Sequence, residues 1–245
     1  MTPAQKKAVL ILSGGMDSTT LLYDLISQGC EVHAITFNYH QKHSNEIACA
    51  EKICKKRGIP HKIIDISVLN ELAPSCLTRD QWDVPEGNYA DDNMKQTVVP
   101  NRNMVFLSLA ASYAIGIGAS RLCYAAHAGD HTIYPDCRPA FISAMGTAFH
   151  LCDWNDVILD APYQYWTKGD IVKRGLALGV DYAMTWTCYK GGKKSCDEGR
   201  PGQSAKEVPG CSHSYSSGST APASLNAASR SSHEPHFPHD CFPPL

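Results

Sequence analysis

The sequence lacks an apolar run of the roughly 18 to 20 residues needed to cross a bilayer. It also lacks an excess of either charge, since 22 Lys and Arg face 24 Asp and Glu and the net charge is -2. Such a balance provides no cationic surface for nucleic acid or an anionic membrane. The apolar run near the amino terminus is cut at Ser13 and is too short for a signal peptide. These absences predict a soluble, cytoplasmic protein with no nucleic-acid or membrane partner.

A disulfide framework is also missing. The 11 cysteines are odd in number and scattered, and no secretory signal accompanies them. Five of them lie in apolar surroundings and are predicted to be small core residues: Cys30, Cys49, Cys54, Cys123 and Cys152.

Apolar patterning divides the chain into alternating strands and helices. Runs of strand length occupy 8–12, 31–37, 61–66, 121–125 and 157–159. Helical patterns occupy 17–27, 44–57, 101–119, 138–151 and 168–178, and the nearly all-apolar third one is predicted to lie sandwiched in the core. This alternation predicts an α/β fold: a doubly wound, mostly parallel sheet with helices on both faces.

Two segments depart from this pattern. Residues 74–97 have scattered Pro, Gly, Asn and Asp and predict a long loop. From 197 onward the composition changes to Ser, Pro, Gly and His without apolar periodicity, which is typical of disorder. We therefore expect an ATP-binding domain over 1–196 and a disordered tail over 197–245.

The stretch VLILSGGMDSTTLL at 9–22 joins the first strand to the first helix. Glycines in such a turn allow the backbone N–H groups to point into one concavity, and the following helix adds its positive end. The hydroxyl groups nearby supply further donors, so the turn suits a polyanion. The candidate ATP-binding residues are Leu12, Ser13, Gly14, Gly15, Met16, Asp17, Ser18, Thr19, Thr20, Leu21 and Leu22.

The Walker A pattern is absent because no Lys follows the glycines. The pattern S-G-G-x-D-S instead resembles the phosphate loop of the PP-loop ATP pyrophosphatases, which cleave ATP between the α- and β-phosphates. The alternative is an ordinary glycine-rich connection between a strand and a helix, with Asp17 as a cap.

Six further motifs occur in the order of one family: TFNYHQKHSNEIACA, LTRD, VVPNRNMVFLSLAASYA, HAGDHTIYPDCRPAFI, APYQYWTKGDIV and TWTCYKGGKKSC. On these motifs the chain resembles the 7-cyano-7-deazaguanine synthases of queuosine biosynthesis over about 7–196. The resemblance implies conversion of 7-carboxy-7-deazaguanine to its nitrile, preQ0, with ATP and ammonia. Activation of the carboxylate as an adenylate makes it electrophilic, and a second activation removes the amide oxygen.

The resemblance assigns catalytic roles to Asp17, Arg102 and Lys168. Asp17 is a candidate to place Mg²⁺, while Arg102 and Lys168 are candidates to bind phosphate or a carboxylate. The alternatives are a surface or capping Arg and a solvated Lys at a helix start. Relatives usually carry Gly where this chain has Asn101, a residue that tolerates left-handed backbone.

Substrate-binding candidates follow the fourth strand, where a doubly wound sheet places its ligand. They are His127, Asp130, Tyr134, Asp136 and Arg138. The two aspartates are candidates for the guanine-like N–H edge, Tyr134 for stacking and Arg138 for the carboxylate. Capping by Asp136, core packing of Tyr134 and a structural His127 are the alternatives.

The family's zinc site is incomplete in this chain. Cys188 and Cys196 stand at two ligand positions, but Gly199 and Gly202 occupy the other two. Zn²⁺ binding is therefore doubtful unless Cys211, His213, Cys241 or a histidine of the stretch SHEPHFPHDC completes the site. The abrupt change after Cys196 suggests a shifted reading frame, and loss of the site predicts lower stability than in a four-cysteine relative.

Three readings of function remain open. The first is the nitrile-forming ligase, and the second is a PP-loop enzyme acting on another acceptor, such as a tRNA sulfurtransferase or a glutamine-dependent synthetase. The third is an ATP-binding remnant without turnover. Family resemblance further suggests a homodimer.

Overall fold

The computed structural model describes residues 6–41, 45–73, 75 and 98–186. Its sheet contains five strands: β1 (Lys7–Ile11), β2 (Glu31–Asn38), β3 (His61–Asp65), β4 (Arg121–Cys123) and β5 (Ile158–Asp160). Their order is β3-β2-β1-β4-β5 and every pairing is parallel. The doubly wound parallel sheet is thus confirmed, with its order reversing beside β1.

Helices connect the strands. They are α1 (Met16–Ser27), α2 (Asn45–Arg57), α3 (Val68–Leu72), α4 (Arg102–Gly116), α5 (Pro139–Cys152) and α6 (Lys168–Ala177). Short 3-10 turns occupy Ala128–Thr132, Pro135–Cys137 and Tyr182–Met184. The bounds of the strands and helices lie within a residue or two of those predicted from the apolar pattern, apart from the end of α4. The structure also contains α3 and the 3-10 turns, which the pattern did not predict.

Each face of the sheet has its own hydrophobic core. On one face Val9 and Leu122 pack with α4 and α5, and on the other Leu10 packs with α1, α2 and α6. Ala8, Val9 and Leu10 of β1 are completely buried because helices cover both sides of this central strand. This two-sided burial explains why β1 is uniformly apolar rather than alternating.

The prediction that the apolar helix lies sandwiched in the core is wrong. One side of α4 packs against the sheet, with Leu107, Ala110 and Ala114 completely buried. The opposite side is open, and the side chains of Met104 and Leu109 are 41% and 39% exposed. A helix on the outside of a doubly wound sheet has only one covered side, whatever its composition.

The cysteine predictions are confirmed only in part. Cys54 and Cys123 are buried, but Cys30 and Cys49 are half-buried and Cys152 is exposed at the end of α5. The prediction that Cys152 is a core residue is therefore wrong, because the last turn of α5 is exposed, as the 81% exposure of Leu151 also shows. All six cysteines in the described ranges carry free thiols.

Asn101 adopts the left-handed conformation, with φ 61° and ψ 13°, directly before α4. The turn that a glycine would make is therefore preserved, as the sequence predicted for an Asn at this position. Most of the predicted 74–97 loop and the whole 197–245 tail lie outside the described residues. Among the described helices, none has the length and apolar character needed to span a membrane.

Candidate active site

The loop of residues 13–15 joins β1 to α1, and its path depends on Gly14. Gly14 has φ +90°, and a Cβ placed there would lie 2.1 Å from the carbonyl oxygen of Glu46. Any side chain at this position would be strained and would also push α2 away from the loop. Gly14 is thus required by both its backbone conformation and the close approach of a second helix.

Hydroxyl groups hold the loop in shape. The Oγ atoms of Ser13 and Ser18 are 3.0 Å apart, and the N–H of Gly15 donates to Ser13 Oγ at 3.2 Å. Gly15 precedes α1 at the capping position and has no side chain with which to cap the helix. The first-turn N–H groups of a helix have no partners within it, and the positive end of its dipole adds to them. The loop therefore forms a cradle for an anion.

The remaining residues of the 12–22 stretch are buried beneath the cradle or form hydrogen bonds within α1. Leu12, Leu21 and Leu22 are completely buried in the core, and Met16 is 9% exposed. Thr20 Oγ1 donates to the carbonyl oxygen of Met16 at 2.9 Å. The hydroxyl oxygen of Thr19 is buried without a hydrogen-bond partner among the described residues.

Side chains from three neighbouring strand ends meet beside this cradle; we call them the Asp17 cluster. Lys168, the first residue of α6 after β5, donates from Nζ to Asp17 Oδ2 at 2.5 Å. His127, which follows β4, has its Nε2 3.9 Å from the same oxygen and 3.5 Å from Asp130 Oδ1. Lys168 is thus an ion-pair partner of Asp17 rather than a solvated lysine at a helix start.

His127 is held in one tautomer by its own turn. The ring Nδ1 accepts a hydrogen bond from the N–H of Gly129 at 3.0 Å, and the backbone N–H of His127 donates to Asp130 Oδ2 at 3.1 Å. Burial lowers the pKa of His127 more than the adjacent carboxylates raise it. A neutral ring that accepts at Nδ1 carries its proton on Nε2, facing the two carboxylates. His127 therefore caps the turn and orients Asp130.

Arg102 lies in a second group, which we call the Arg102 cluster. Its Nε is buried without a hydrogen-bond partner among the described residues, and its guanidinium lies 5.9 Å from the centre of the Tyr134 ring. Burial disfavours its charge, but Tyr39, Tyr134 and Asp136 outweigh this and raise the pKa of Arg102. The residue is therefore a permanent cation that is half-buried, with its Nε enclosed, and not a surface arginine.

The sequence assigned no role to two members of this cluster, Tyr39 and Glu46. Burial raises the pKa of Glu46 to about 7, although the charge of Arg102 opposes the shift. Burial likewise raises the pKa of Tyr39, which also interacts with Arg102 and Glu46. Both residues fall in the TFNYHQKHSNEIACA motif, so their position in that motif was the available signal.

The other substrate-binding candidates are Asp136, Tyr134 and Arg138, and each has contacts of its own within the protein. Asp136 Oδ2 accepts from the N–H of Asn103 at 3.0 Å and so caps α4 from outside. Tyr134 is 5% exposed and packs in the core. Arg138 is exposed, and its Nε donates to the carbonyl oxygen of His131 at 2.8 Å.

The metal-binding candidates Cys188 and Cys196, like Gly199 and Gly202, lie outside the described residues. In the part of the chain that is described, no three His, Cys, Asp or Glu side chains are grouped as ligands of a metal ion. A single carboxylate is nevertheless available, because Asp17 Oδ1 is buried and has no hydrogen-bond partner among the described residues.

The parallel sheet with its glycine cradle, and the Asp–Lys pair at the carboxyl ends of the strands, define an α/β nucleotide-binding protein of the PP-loop class. The chain belongs to the family described as "Queuosine biosynthesis protein QueC", whose model matches residues 7–206. The family predicted from the motifs is thereby confirmed. The matched range includes Gly199 and Gly202, so these departures lie within the family region.

Curated relatives match most of the chain. The 7-cyano-7-deazaguanine synthase of Methanoregula boonei is 75% identical over 190 residues, which cover 78% of this chain and 88% of that protein. The enzyme of the same name from Caldicellulosiruptor saccharolyticus is 59% identical over 202 residues, covering 82% and 89%. Among solved structures, NMN synthetase from Francisella tularensis is 16% identical with a TM-score of 0.48, covering 80% of this chain and 71% of that one.

Proposed function

We propose that this chain is an ATP-dependent carbon–nitrogen ligase that converts 7-carboxy-7-deazaguanine and ammonia to 7-cyano-7-deazaguanine, preQ0. The observation that carries the proposal is the Gly14–Gly15 anion cradle with the Asp17–Lys168 pair at its side. Membership of the QueC family and the identity to two 7-cyano-7-deazaguanine synthases support the choice of substrate.

The reaction requires charge neutralisation more than acid–base chemistry. A carboxylate does not react with ammonia until its oxygen attacks the α-phosphate of ATP and forms an acyl adenylate, releasing pyrophosphate. The cradle and Lys168 stabilise the negative charge on the departing pyrophosphate. Ammonia then opens the adenylate to the amide and releases AMP. A second ATP then adenylates the amide oxygen and releases pyrophosphate, and departure of that oxygen as AMP, with loss of the remaining nitrogen protons, yields the nitrile.

Asp17 fits a supporting role for Mg²⁺. Magnesium ions commonly bind one or two carboxylates together with the phosphates of the substrate. One oxygen of Asp17 is held by Lys168 and the other is buried and unpartnered among the described residues. When bound there, the ion would neutralise the triphosphate.

The Arg102 cluster supplies an anchor and a proton acceptor. Arg102 is the candidate to hold the carboxylate of the substrate or the phosphate of the adenylate, since its guanidinium has an unpaired N–H. Glu46, whose pKa is raised by burial to about 7, is the candidate to accept a proton from ammonium. Tyr134, Asp130, Asp136 and Arg138 remain candidates for recognition of the deazaguanine.

The deciding experiment is turnover of 7-carboxy-7-deazaguanine with ATP, Mg²⁺ and ammonium, with AMP, pyrophosphate and nitrile measured together. Formation of nitrile with release of AMP is the expected result. ATP binding without nitrile would instead identify the remnant suggested by the two missing cysteines, and turnover of another acceptor would point to a different PP-loop activity.

Zinc binding and assembly are measured on the same sample. With two cysteine ligands replaced by glycine, we expect less than one Zn²⁺ per chain and a lower Tm than a four-cysteine relative. Introducing Gly199→Cys and Gly202→Cys together should raise both values, while an unchanged zinc content would contradict the proposal.

We further propose that the chain forms a cytoplasmic homodimer without nucleic acid. Light scattering tests the homodimer by comparing the mass in solution with the 26.7 kDa mass of one chain.

A further inference from the structure

Residues 181–186, here called the strap, follow α6 and return to the phosphate cradle. The N–H of Trp186 donates to the carbonyl oxygen of Gly14 at 3.1 Å. A Cβ on Gly15 would lie 3.5 Å from the carbonyl oxygen of Trp186, so the strap runs directly against the loop. The contact is made by backbone on both sides and so depends on the position of the strap.

The Trp186 bond controls which way a peptide group of the loop faces. In a trans peptide the C=O and the following N–H point in opposite directions. With its oxygen held by the strap, the Gly14–Gly15 peptide turns its N–H to the other side, where it donates to Ser13 Oγ. Glycine has little intrinsic preference for either orientation. Without the strap, the carbonyl oxygen would be free to turn toward the phosphate and repel it.

Tyr182 fastens the strap to the two helices that border the cradle. Its hydroxyl lies 2.8 Å from Thr20 Oγ1, which in turn donates to the first-turn carbonyl of Met16 in α1. The same hydroxyl occupies the space beside Gly175 of α6, where a Cβ would lie only 1.8 Å away. Tyr182 therefore sits where α1, α6 and the strap meet.

The other attachment of the strap is weaker. Lys56 of α2 lies 3.5 Å from Asp181 and 3.3 Å from the sulfur of Met184. Both charged side chains are about half exposed, at 54% and 47%. Exposed ion pairs contribute little to stability. Of these two described attachments, the one through Tyr182 is therefore the stronger.

We propose that Tyr182 is a positioning residue that acts through the strap on the phosphate cradle and sets the affinity for the triphosphate of ATP. The inference rests on the proposed function only for the use of ATP. It assigns no chemistry to Tyr182, because the hydroxyl contacts protein groups of α1 and α6 and not the cradle itself. The expected signature is a change in ATP binding with an unchanged rate of the chemical steps.

The first test compares Tyr182→Phe with Tyr163→Phe in the full chain. Tyr163 is a matched control because its hydroxyl also joins the α6 side to α1 but donates to Asp24, at 3.2 Å, rather than to Thr20. Loss of the Tyr182 bond should raise the Kd and the KM for Mg·ATP about tenfold, the effect of one ordinary hydrogen bond. We expect kcat at saturating ATP to stay unchanged, and Tyr163→Phe to leave the KM for ATP at its wild-type value.

A second variant displaces the strap by filling its space. In Gly175→Ala the new methyl group would collide with the Tyr182 hydroxyl, whereas Gly146→Ala in α5 adds a Cβ whose nearest neighbour is 3.9 Å away. Gly175→Ala should weaken ATP binding at least as much as Tyr182→Phe, and Gly146→Ala should not. Combining Gly175→Ala with Tyr182→Ala should cost less than the sum of the two single losses, because both act on the Tyr182 contact, although the new methyl group also lies 2.9 Å from Thr20 Oγ1.

Three results would overturn the proposal. One is an unchanged Kd for ATP in Tyr182→Phe, which also decides the matter if Gly175→Ala fails to fold. Another is an equal loss of affinity in Tyr163→Phe, which would indicate general loosening between α1 and α6. The third is a fall in kcat with an unchanged KM. If the wild type binds ATP without forming nitrile, the proposed function fails while these Kd comparisons still decide the role of the strap.

Discussion

Two groups of charged side chains lie at the carboxyl ends of the strands, one around Asp17 and one around Arg102. In the Asp17 cluster the charges are paired, since Lys168 contacts Asp17 at 2.5 Å and His127 faces Asp17 and Asp130 in its neutral form. In the Arg102 cluster the Nε of the guanidinium is buried without a partner in the described part of the chain, and burial raises the pKa of Glu46 to about 7. The charges of the Asp17 cluster are paired with one another, although Asp17 Oδ1 has no partner among the described residues, whereas in the Arg102 cluster the unpartnered atom belongs to the cation itself.

The difference indicates that the two clusters have different roles in the proposed reaction. A buried polar group without a partner costs free energy, so it persists where a ligand or a reaction makes use of it. The paired cluster is already arranged to receive phosphate. In the Arg102 cluster the Nε of the guanidinium has no partner among the described residues, so it can bind an anion, which is the property expected of the side that holds the activated carboxylate.

The largest expected effect comes from the Arg102 cluster. Arg102→Ala should lower kcat/KM for nitrile formation about 10³-fold, because it removes the fixed cation from a water-poor site. Arg102→Lys should recover little, since an ammonium cannot reproduce the planar guanidinium. The control is Arg57→Lys on the exposed end of α2. Activity within a factor of about two of wild type in Arg102→Ala would place the substrate elsewhere.

The Asp17 cluster should respond as a unit. Lys168→Met should reduce pyrophosphate exchange about 10²-fold by removing positive charge beside the cradle. Asp17→Asn should act similarly, and the double variant should be little worse than either single one because the two groups contact each other. Strictly additive losses would show that the Asp17–Lys168 pair is not a functional unit.

Glu46→Gln separates activity from stability. Burial raises the pKa of Glu46 from 4.5 to about 7, so wild-type activity should rise with pH through 7 as the carboxylate forms, and the variant should lose this limb. The folded state binds this proton more tightly than the unfolded state does. The contribution of Glu46 to the free energy of unfolding is therefore up to about 3 kcal/mol smaller above pH 7 than below pH 4.5.

The stability consequence has a definite sign. The contribution of Glu46 is most favourable below pH 4.5 and declines as the pH rises to about 7. Glu46→Gln should therefore melt at a higher temperature than wild type at pH 8, with a smaller difference at pH 5. Glu51→Gln on the exposed surface of α2 is the control. A variant that is less stable at pH 8 would contradict burial of the charged form.

The smallest effect is expected just before Arg102. Asn101 has φ 61°, so Asn101→Ala should cost about 1 kcal/mol and lower the Tm, while Asn101→Gly should be nearly neutral. Thermal melts of the two variants provide the measurement. Equal melting temperatures for Ala and Gly would mean that the turn relaxes out of the left-handed conformation.

Much of the fold and of the first cluster follows from local sequence patterns. The apolar run of β1 and the Ser-Gly-Gly turn predict a buried strand that feeds an anion cradle, because burial and glycine conformational freedom are properties of short segments. The rule that parallel strands end at one edge then places Lys168 and His127 near Asp17. For Asn101, residue chemistry alone predicted the conformation that the structure contains.

Other features depend on contacts between distant segments. The exposure of Cys152 and of one side of α4 was not predicted, because an apolar helix does not reveal how many of its sides are covered. The raised pKa of Glu46 requires burial by other elements, strong enough to outweigh the opposing charge of Arg102, which lies more than fifty residues away in the chain. By itself the sequence determined the alternation of strands and helices, the order of the motifs along the chain, the glycine cradle and the family. Only the tertiary structure decided which charges are paired, which remain unpaired, and that the strap closes against Gly14, since burial and pairing arise from packing between elements.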